Sequence, residues 1–153
     1  MAESKTLVLG IGNSFRRDDG VGPAVINRLN AEADLEDIDV LDGGTDGISL
    51  LEYLKGYEKA LIIDAVDMGM EPGEVRVFSP DEARLIRADA LSTHGIGLAE
   101  VIGMMKILNI EVELRIIGIQ AKDVTFGEGL SPELSSNIET ILELVKEEVT
   151  KVS

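Results

Sequence analysis

His94 is the single histidine of this 153-residue chain, and two acidic positions far from it in sequence could sit beside it. Asp19 follows a glycine-rich turn, Gly10-Ile-Gly-Asn-Ser-Phe-Arg-Arg-Asp-Asp-Gly-Val-Gly22, and Asp64 ends an apolar run, Ala60-Leu-Ile-Ile-Asp-Ala65. One imidazole and two carboxylates at loop positions are the donor set of an open divalent-metal site. A carboxylate held on a rigid strand end also suits a general base. The chain has no cysteine, and no serine or lysine stands in a recognisable nucleophile setting. Nothing else offers a comparable reactive group.

Each of these positions also has a plainer reading. Gly10-Ile-Gly12 directly after a strand suggests a dinucleotide-binding turn. The third glycine of that motif would fall at Phe15 and is absent. Asp18 and Asp19 crowd the helix start where a pyrophosphate would sit, and adjacent carboxylates repel phosphate. Either residue could instead cap a helix; Asp18 suits that role better than Asp19. Asp64 could be a turn former bonded to nearby backbone N–H groups. Asp67 is expected to shape the turn before Pro72-Gly73. A lone histidine is more often structural than functional, but His94 lies in Leu91-Ser-Thr-His-Gly-Ile-Gly97, where flanking glycines allow another backbone to come close. Asp42, Gly43, Gly44 and Thr45 form either a simple strand-to-helix turn or an open backbone surface suited to a peptide.

The elements that must position these residues alternate between strand and helix. Thr6–Gly10, Ile38–Leu41, Lys59–Ala65, Glu74–Phe78 and Glu111–Ile119 read as strands. The third is apolar on both faces, as in the middle of a covered sheet; the fourth alternates and is expected at an edge. Helical stripes fall on Val21, Val25, Ile26 and Leu29, with Pro23 in the first turn. Further stripes fall on Ile48, Leu51 and Leu54, stopped by Gly56, and on Leu98, Val101, Ile102 and Met105. A last helix is expected to open at Ser131-Pro132-Glu133 and to bury Leu134, Ile138, Ile141, Leu142, Val145 and Val149. Residues 79–93 read as irregular, with one helical turn after Pro80.

This pattern predicts a three-layer α/β/α sandwich around a mostly parallel, five-stranded sheet, as a single domain over 1–153. Ligands in such sheets bind outside the carboxyl ends of the strands. Asp18-Asp19, Asp42 and Asp64 follow the first three strands, so all are expected on one rim.

Composition narrows the function classes. The net charge is −15, from 29 acidic and 14 basic residues, which argues against nucleic acid and anionic membrane partners. Aromatics are 3%, so the core must be aliphatic. No secretory signal or membrane span is visible, and a cytoplasmic monomer is expected.

Together the motifs resemble the maturation endopeptidases of nickel–iron hydrogenases. The resemblance covers nearly the whole chain and rests on Gly10-x-Gly-Asn13, Asp18-Asp19-Gly20-x-Gly22-Pro23, Asp42-Gly-Gly-Thr45, Asp64-Ala65 and Thr93-His94, in order and spacing. Asp64-Ala-Val-Asp-Met-Gly69 followed by Pro72-Gly-Glu74 is similar to the branch serving hydrogenase 3 and the deazaflavin-reducing hydrogenases of methanogens. The resemblance implies an endopeptidase that removes a C-terminal tail from the hydrogenase large-subunit precursor after nickel insertion. It implies that Asp19, Asp64 and His94 are catalytic and contact the metal, and that Asp42, Gly43, Gly44 and Thr45 help to choose the precursor. Many members carry Glu where this chain has Asp19, which is one methylene shorter. Nickel is expected to arrive with the substrate, and other divalent cations could occupy the same donors. A nucleotide- or nucleoside-binding α/β enzyme and a non-catalytic chaperone of the nickel-bearing precursor are the alternatives.

Overall fold

The computed structural model describes residues 6–32, 37–45, 47–85 and 98–151. Five strands form one sheet in the order β2-β1-β3-β5-β4. They are β1 (Thr6–Ile11), β2 (Ile38–Gly44), β3 (Lys59–Val66), β4 (Val75–Phe78) and β5 (Glu113–Gln120). The first three and β5 run parallel; β4 pairs antiparallel with β5 at the edge. Every residue of the central strand β3 is buried, as its unbroken apolar run requires.

Helices cover both faces, which makes the expected three layers. On one face, α1 (Val21–Asn30) and α6 (Ile138–Thr150) bury Val25, Leu29, Ile141 and Val145 against Val8, Leu61 and Ile117. On the other, α2 (Gly47–Leu54) and α4 (Leu98–Ile107) bury Leu51, Leu54, Val101 and Ile102 against Leu9, Ile62 and Ile116. The expected inward positions Ile48 and Leu98 have side chains outside the described residues. Short helices α3 (Pro80–Leu85) and α5 (Pro132–Ser135) complete the set. Only the first part of 79–93 can be compared with expectation, and it is the helix after Pro80. Gly56 ends α2 with φ +90°.

Two local features differ from the sequence expectation. First, the last helix is broken: α5 stops at Ser135, and α6 starts after Asn137. The Asn137 Nδ2 donates to the carbonyl of Gly73 at 2.6 Å, so Asn137 ties the helix start to a turn 64 residues away. A Cβ on Gly73 would lie 3.0 Å from the Glu133 carbonyl oxygen; the two segments meet backbone to backbone. Second, β3 runs on to Val66, so Asp64 lies within the strand rather than at its end. Strand alternation places Asp64 on the same face as Ile62 and Val66, toward α2 and α4.

Candidate active site

Parallel register aligns the first three strands at their carboxyl ends. Gly10 lies opposite both Asp42 and Ile63, which sets Asp64 level with Ile11. Beyond Ile11 the chain turns back under its own helix. Gly12 has φ +144°, and a Cβ there would lie 1.9 Å from the Asp19 carbonyl oxygen. The first turn of α1 rests on the strand ends: a Cβ on Gly22 would lie 2.5 Å from the Ile11 carbonyl oxygen and 2.7 Å from that of Ile63. These glycines let the turn carrying Asp18 and Asp19 seat directly above β1 and β3. That turn is a short 3-10 helix, Arg17–Gly20.

Asp19 and Asp64 are both fully buried. The Asp19 Oδ2 accepts the Asn13 N–H at 2.9 Å. Among the described residues, neither Asp64 oxygen has a hydrogen-bond partner of ordinary geometry. Burial first, and the Asp19 charge second, push the Asp64 carboxyl well above its ordinary value of 3.8; the Ala65 N–H offsets a small part. Desolvation is the larger cause and repulsion from the neighbouring acid the smaller. The neutral form of Asp64 is therefore favoured beside the Asp19 charge, and paired groups whose environments push them apart are candidates for acid and base roles. A divalent cation would relieve the same two effects, since positive charge stabilises a buried carboxylate.

Asp18 is equally buried but engaged in a different way. It does not cap α1; its carboxylate accepts hydrogen bonds from Lys122, Asp123 and Ser131 in the loop after β5. The two adjacent acids thus point in different directions, as successive residues of a 3-10 turn must, at about 120°.

Asp42 shares the rim but not the buried pair. It is exposed, and its Oδ1 accepts the Gly44 N–H at 3.0 Å. Gly44, at φ +68°, returns its own carbonyl to the Gly12 N–H at 3.0 Å. Gly43 is buried against Leu9 and Ile11, and Thr45 is exposed. A groove of about 360 Å³ runs from Asp42 past Gly20 and Arg17 to Gly129, so this loop borders a surface cleft. Asp67 accepts from Gln120 Nε2 at 3.2 Å. Gln120, not foreseen, holds the turn before Pro72 by accepting the N–H groups of Met68 and Met70 at 2.8 and 3.2 Å; a polar residue closing an apolar strand was the available signal.

His94 lies outside the described residues. Among the described residues no three metal-ligating side chains cluster; Asp19 and Asp64, two of the three expected residues, are brought close together. The helix α4 that begins four residues after His94 packs on the face toward which Asp64 projects. No helix among the described residues is long and apolar enough to cross a membrane.

Comparison with known proteins gives consistent matches. The family model for hydrogenase maturation protease (HycI) matches residues 23–148. The hydrogenase expression/formation protein HupD of Bradyrhizobium diazoefficiens is 33% identical over 146 residues, 93% of this chain and 76% of the relative. The hydrogenase maturating endopeptidase HybD of Escherichia coli superimposes with a TM-score of 0.82 at 26% identity, covering 95% of this chain and 91% of that one. The [NiFe] hydrogenase maturation protease HycI of Thermococcus kodakarensis gives 0.78 at 26% identity, covering 97% and 94%.

Proposed function

The chain belongs to the hydrogenase maturation protease family and is a peptidase; from that premise we propose that it removes the C-terminal extension of a hydrogenase large-subunit precursor once nickel has been inserted. The observation behind this reading is the buried Asp19–Asp64 pair at the strand ends, with Asp64 held toward its neutral form. Asp19, Asp64 and His94 act together on the precursor. Burial and the neighbouring Asp19 charge both favour the neutral form of Asp64. Asp19, oriented by the Asn13 N–H, is the candidate to take a proton from water, and Asp64, held toward its neutral form, to give one to the departing nitrogen.

Nickel enters as part of the substrate. When it is bound, a divalent ion can polarise the scissile carbonyl or lower the pKa of water. Imidazole and carboxylate suit nickel. A cation and a proton compete for Asp64, so binding should release a proton and strengthen with pH. A precursor without nickel would bring no cation to displace the Asp64 proton and would bind poorly, which makes cleavage a checkpoint on metal insertion. The groove beside Asp42–Thr45 is the place for precursor selection. The reaction is placed in the cytoplasm, with the enzyme a monomer.

The dinucleotide alternative is not favoured: Asp18 and Asp19 are buried at the start of α1, and Gly22 already presses on the Ile11 and Ile63 carbonyls where phosphate would need room. The deciding experiment incubates the enzyme with nickel-loaded and nickel-free precursor and reads mass. Shortening of the loaded form alone supports the proposal. Two intact masses mark a chaperone instead. Asp19→Asn, Asp64→Asn and His94→Ala in the same assay assign roles.

A further inference from the structure

We infer that Asp18 is a positioning residue: its carboxylate locks the loop after β5 onto the catalytic turn and so sets where Asp19 sits relative to Asp64. The inference rests on the Asp19–Asp64 reading above.

The turn's own bonds, from the Asp19 N–H to the Arg16 carbonyl at 3.0 Å and from the Val21 N–H to that of Asp18, are supplemented from outside. Arg17–Gly20 has no side-chain cap, and Arg17 enters it at φ 45°, a left-handed conformation that L-residues disfavour. The outside support comes from the loop 121–131. The Arg17 N–H donates to the Gly127 carbonyl at 3.0 Å, and the Asp18 N–H to that of Asp123 at 2.9 Å. The Gly127 N–H donates back to Phe15 at 2.8 Å, and Arg16 Nε to Val124 at 3.0 Å.

Both ends of that loop are pinned to one carboxylate. Asp18 Oδ2 accepts the N–H groups of Lys122 and Asp123 at 2.9 and 3.0 Å and the Ser131 hydroxyl at 2.9 Å. Asp18 Oδ1 accepts the Ser131 N–H at 2.7 Å. Charge-assisted bonds of this kind are roughly twice as strong as neutral ones.

The loop also reaches the other acid. It leaves β5 at Gln120, and β5 pairs with β3 in a register that sets Gly118 opposite Asp64. A continuous path therefore runs from the strand beside Asp64, through the loop, to Asp18 and its neighbour Asp19. Asp18 closes that path, so releasing it frees the turn to move against β3. A misplacement of a catalytic group by about 1 Å can cost on the order of 100-fold in rate.

The test compares wild type with Asp18→Asn and Ser131→Ala. Asp18→Asn keeps volume but turns an amide NH2 toward backbone donors. Ser131→Ala removes one hydroxyl bond, keeps the backbone N–H, and secures the test if Asp18→Asn does not fold. Three readouts are taken at a temperature where each variant is folded by circular dichroism. They are kcat and KM on nickel-loaded precursor, and the affinity of the protein alone for cadmium by calorimetry. Asp18→Asn is expected to lower kcat at least tenfold with KM within twofold, and to weaken cadmium binding at least fivefold. Ser131→Ala is expected to shift both in the same direction by less. Wild-type kcat and cadmium affinity in a folded Asp18→Asn would overturn the inference. So would a loss of activity that merely tracks the unfolded fraction. If wild type leaves the precursor intact, the proposed function fails, while the cadmium comparison still judges Asp18.

Discussion

Replacing Asp64 by Asn is expected to flatten the dependence of folding stability on pH. The folded protein favours the neutral form of Asp64, because burial and the Asp19 charge both oppose ionisation. The folded state therefore binds a proton that the unfolded chain releases near the ordinary value of 3.8. With more protons bound in the folded state, stability falls as pH rises. The loss begins at the unfolded value and is complete once pH passes the higher folded value. Within that window one proton contributes a slope of about 1.4 kcal/mol per pH unit. For a chain of this length that corresponds to about 3–5 °C of melting temperature per pH unit.

Asn has nearly the same shape but does not titrate, so the wild-type-minus-variant difference isolates Asp64 from the other acidic groups. The absolute offset between the two proteins is not diagnostic, since an Asn amide buried there also needs partners; the slope is. Urea unfolding of both proteins in metal-free buffer at half-unit steps from pH 4 to pH 8 measures it. The stability of Asp64→Asn relative to wild type should climb with pH. A flat difference across the whole range would refute the claim that this carboxyl resists ionisation.

Three further outcomes follow from the same geometry. Nickel, zinc or cadmium at about 100 times its dissociation constant should add about 2.7 kcal/mol to wild-type stability, raising the melting temperature by about 5–10 °C; His94→Ala should remove at least half of that gain in a thermal-shift assay, and no shift with any of the three ions would count against the donor set. Gly22→Ala places a methyl group 2.5 Å from the Ile11 carbonyl oxygen and should destabilise by on the order of 3 kcal/mol, measured by denaturant unfolding. Lys59 is buried, and its Nζ donates to the carbonyls of Glu148 and Lys151; Lys59→Met leaves the end of α6 without these donors and should cost about 1–3 kcal/mol, with activity unchanged at temperatures where the variant is folded.

The sheet was legible because burial writes itself into local pattern. Lys59–Val66 is apolar on both faces and became the central strand; Val75–Phe78 alternates and became the edge. The broken last helix was not legible. Its apolar stripe is continuous through Ile138, and the break depends on a bond from Asn137 to Gly73, far upstream. Gln120 and Lys59 escaped for a similar reason: each is held by backbone groups of another element, and backbone donors and acceptors leave no mark on sequence.

Asp18 and Asp19 show where reading by residue type stops. They are adjacent, chemically identical and equally buried. In one turn of a 3-10 helix they diverge, one toward the loop after β5 and one toward β3. Asp18 is satisfied by donors 104 to 113 residues away. Satisfied in this way, it contributes stability. Asp64, with no such donors among the described residues, opposes stability whenever it ionises. The fold supplies four hydrogen bonds to one buried acid and, among the described residues, none of ordinary geometry to the other. Local rules are broken at Asp64 and obeyed at Asp18, and departures of that kind concentrate where a protein does chemistry. The same contrast predicts opposite signs for the two isosteric changes: Asp18→Asn should destabilise the protein at neutral pH, whereas Asp64→Asn should gain on wild type as pH rises.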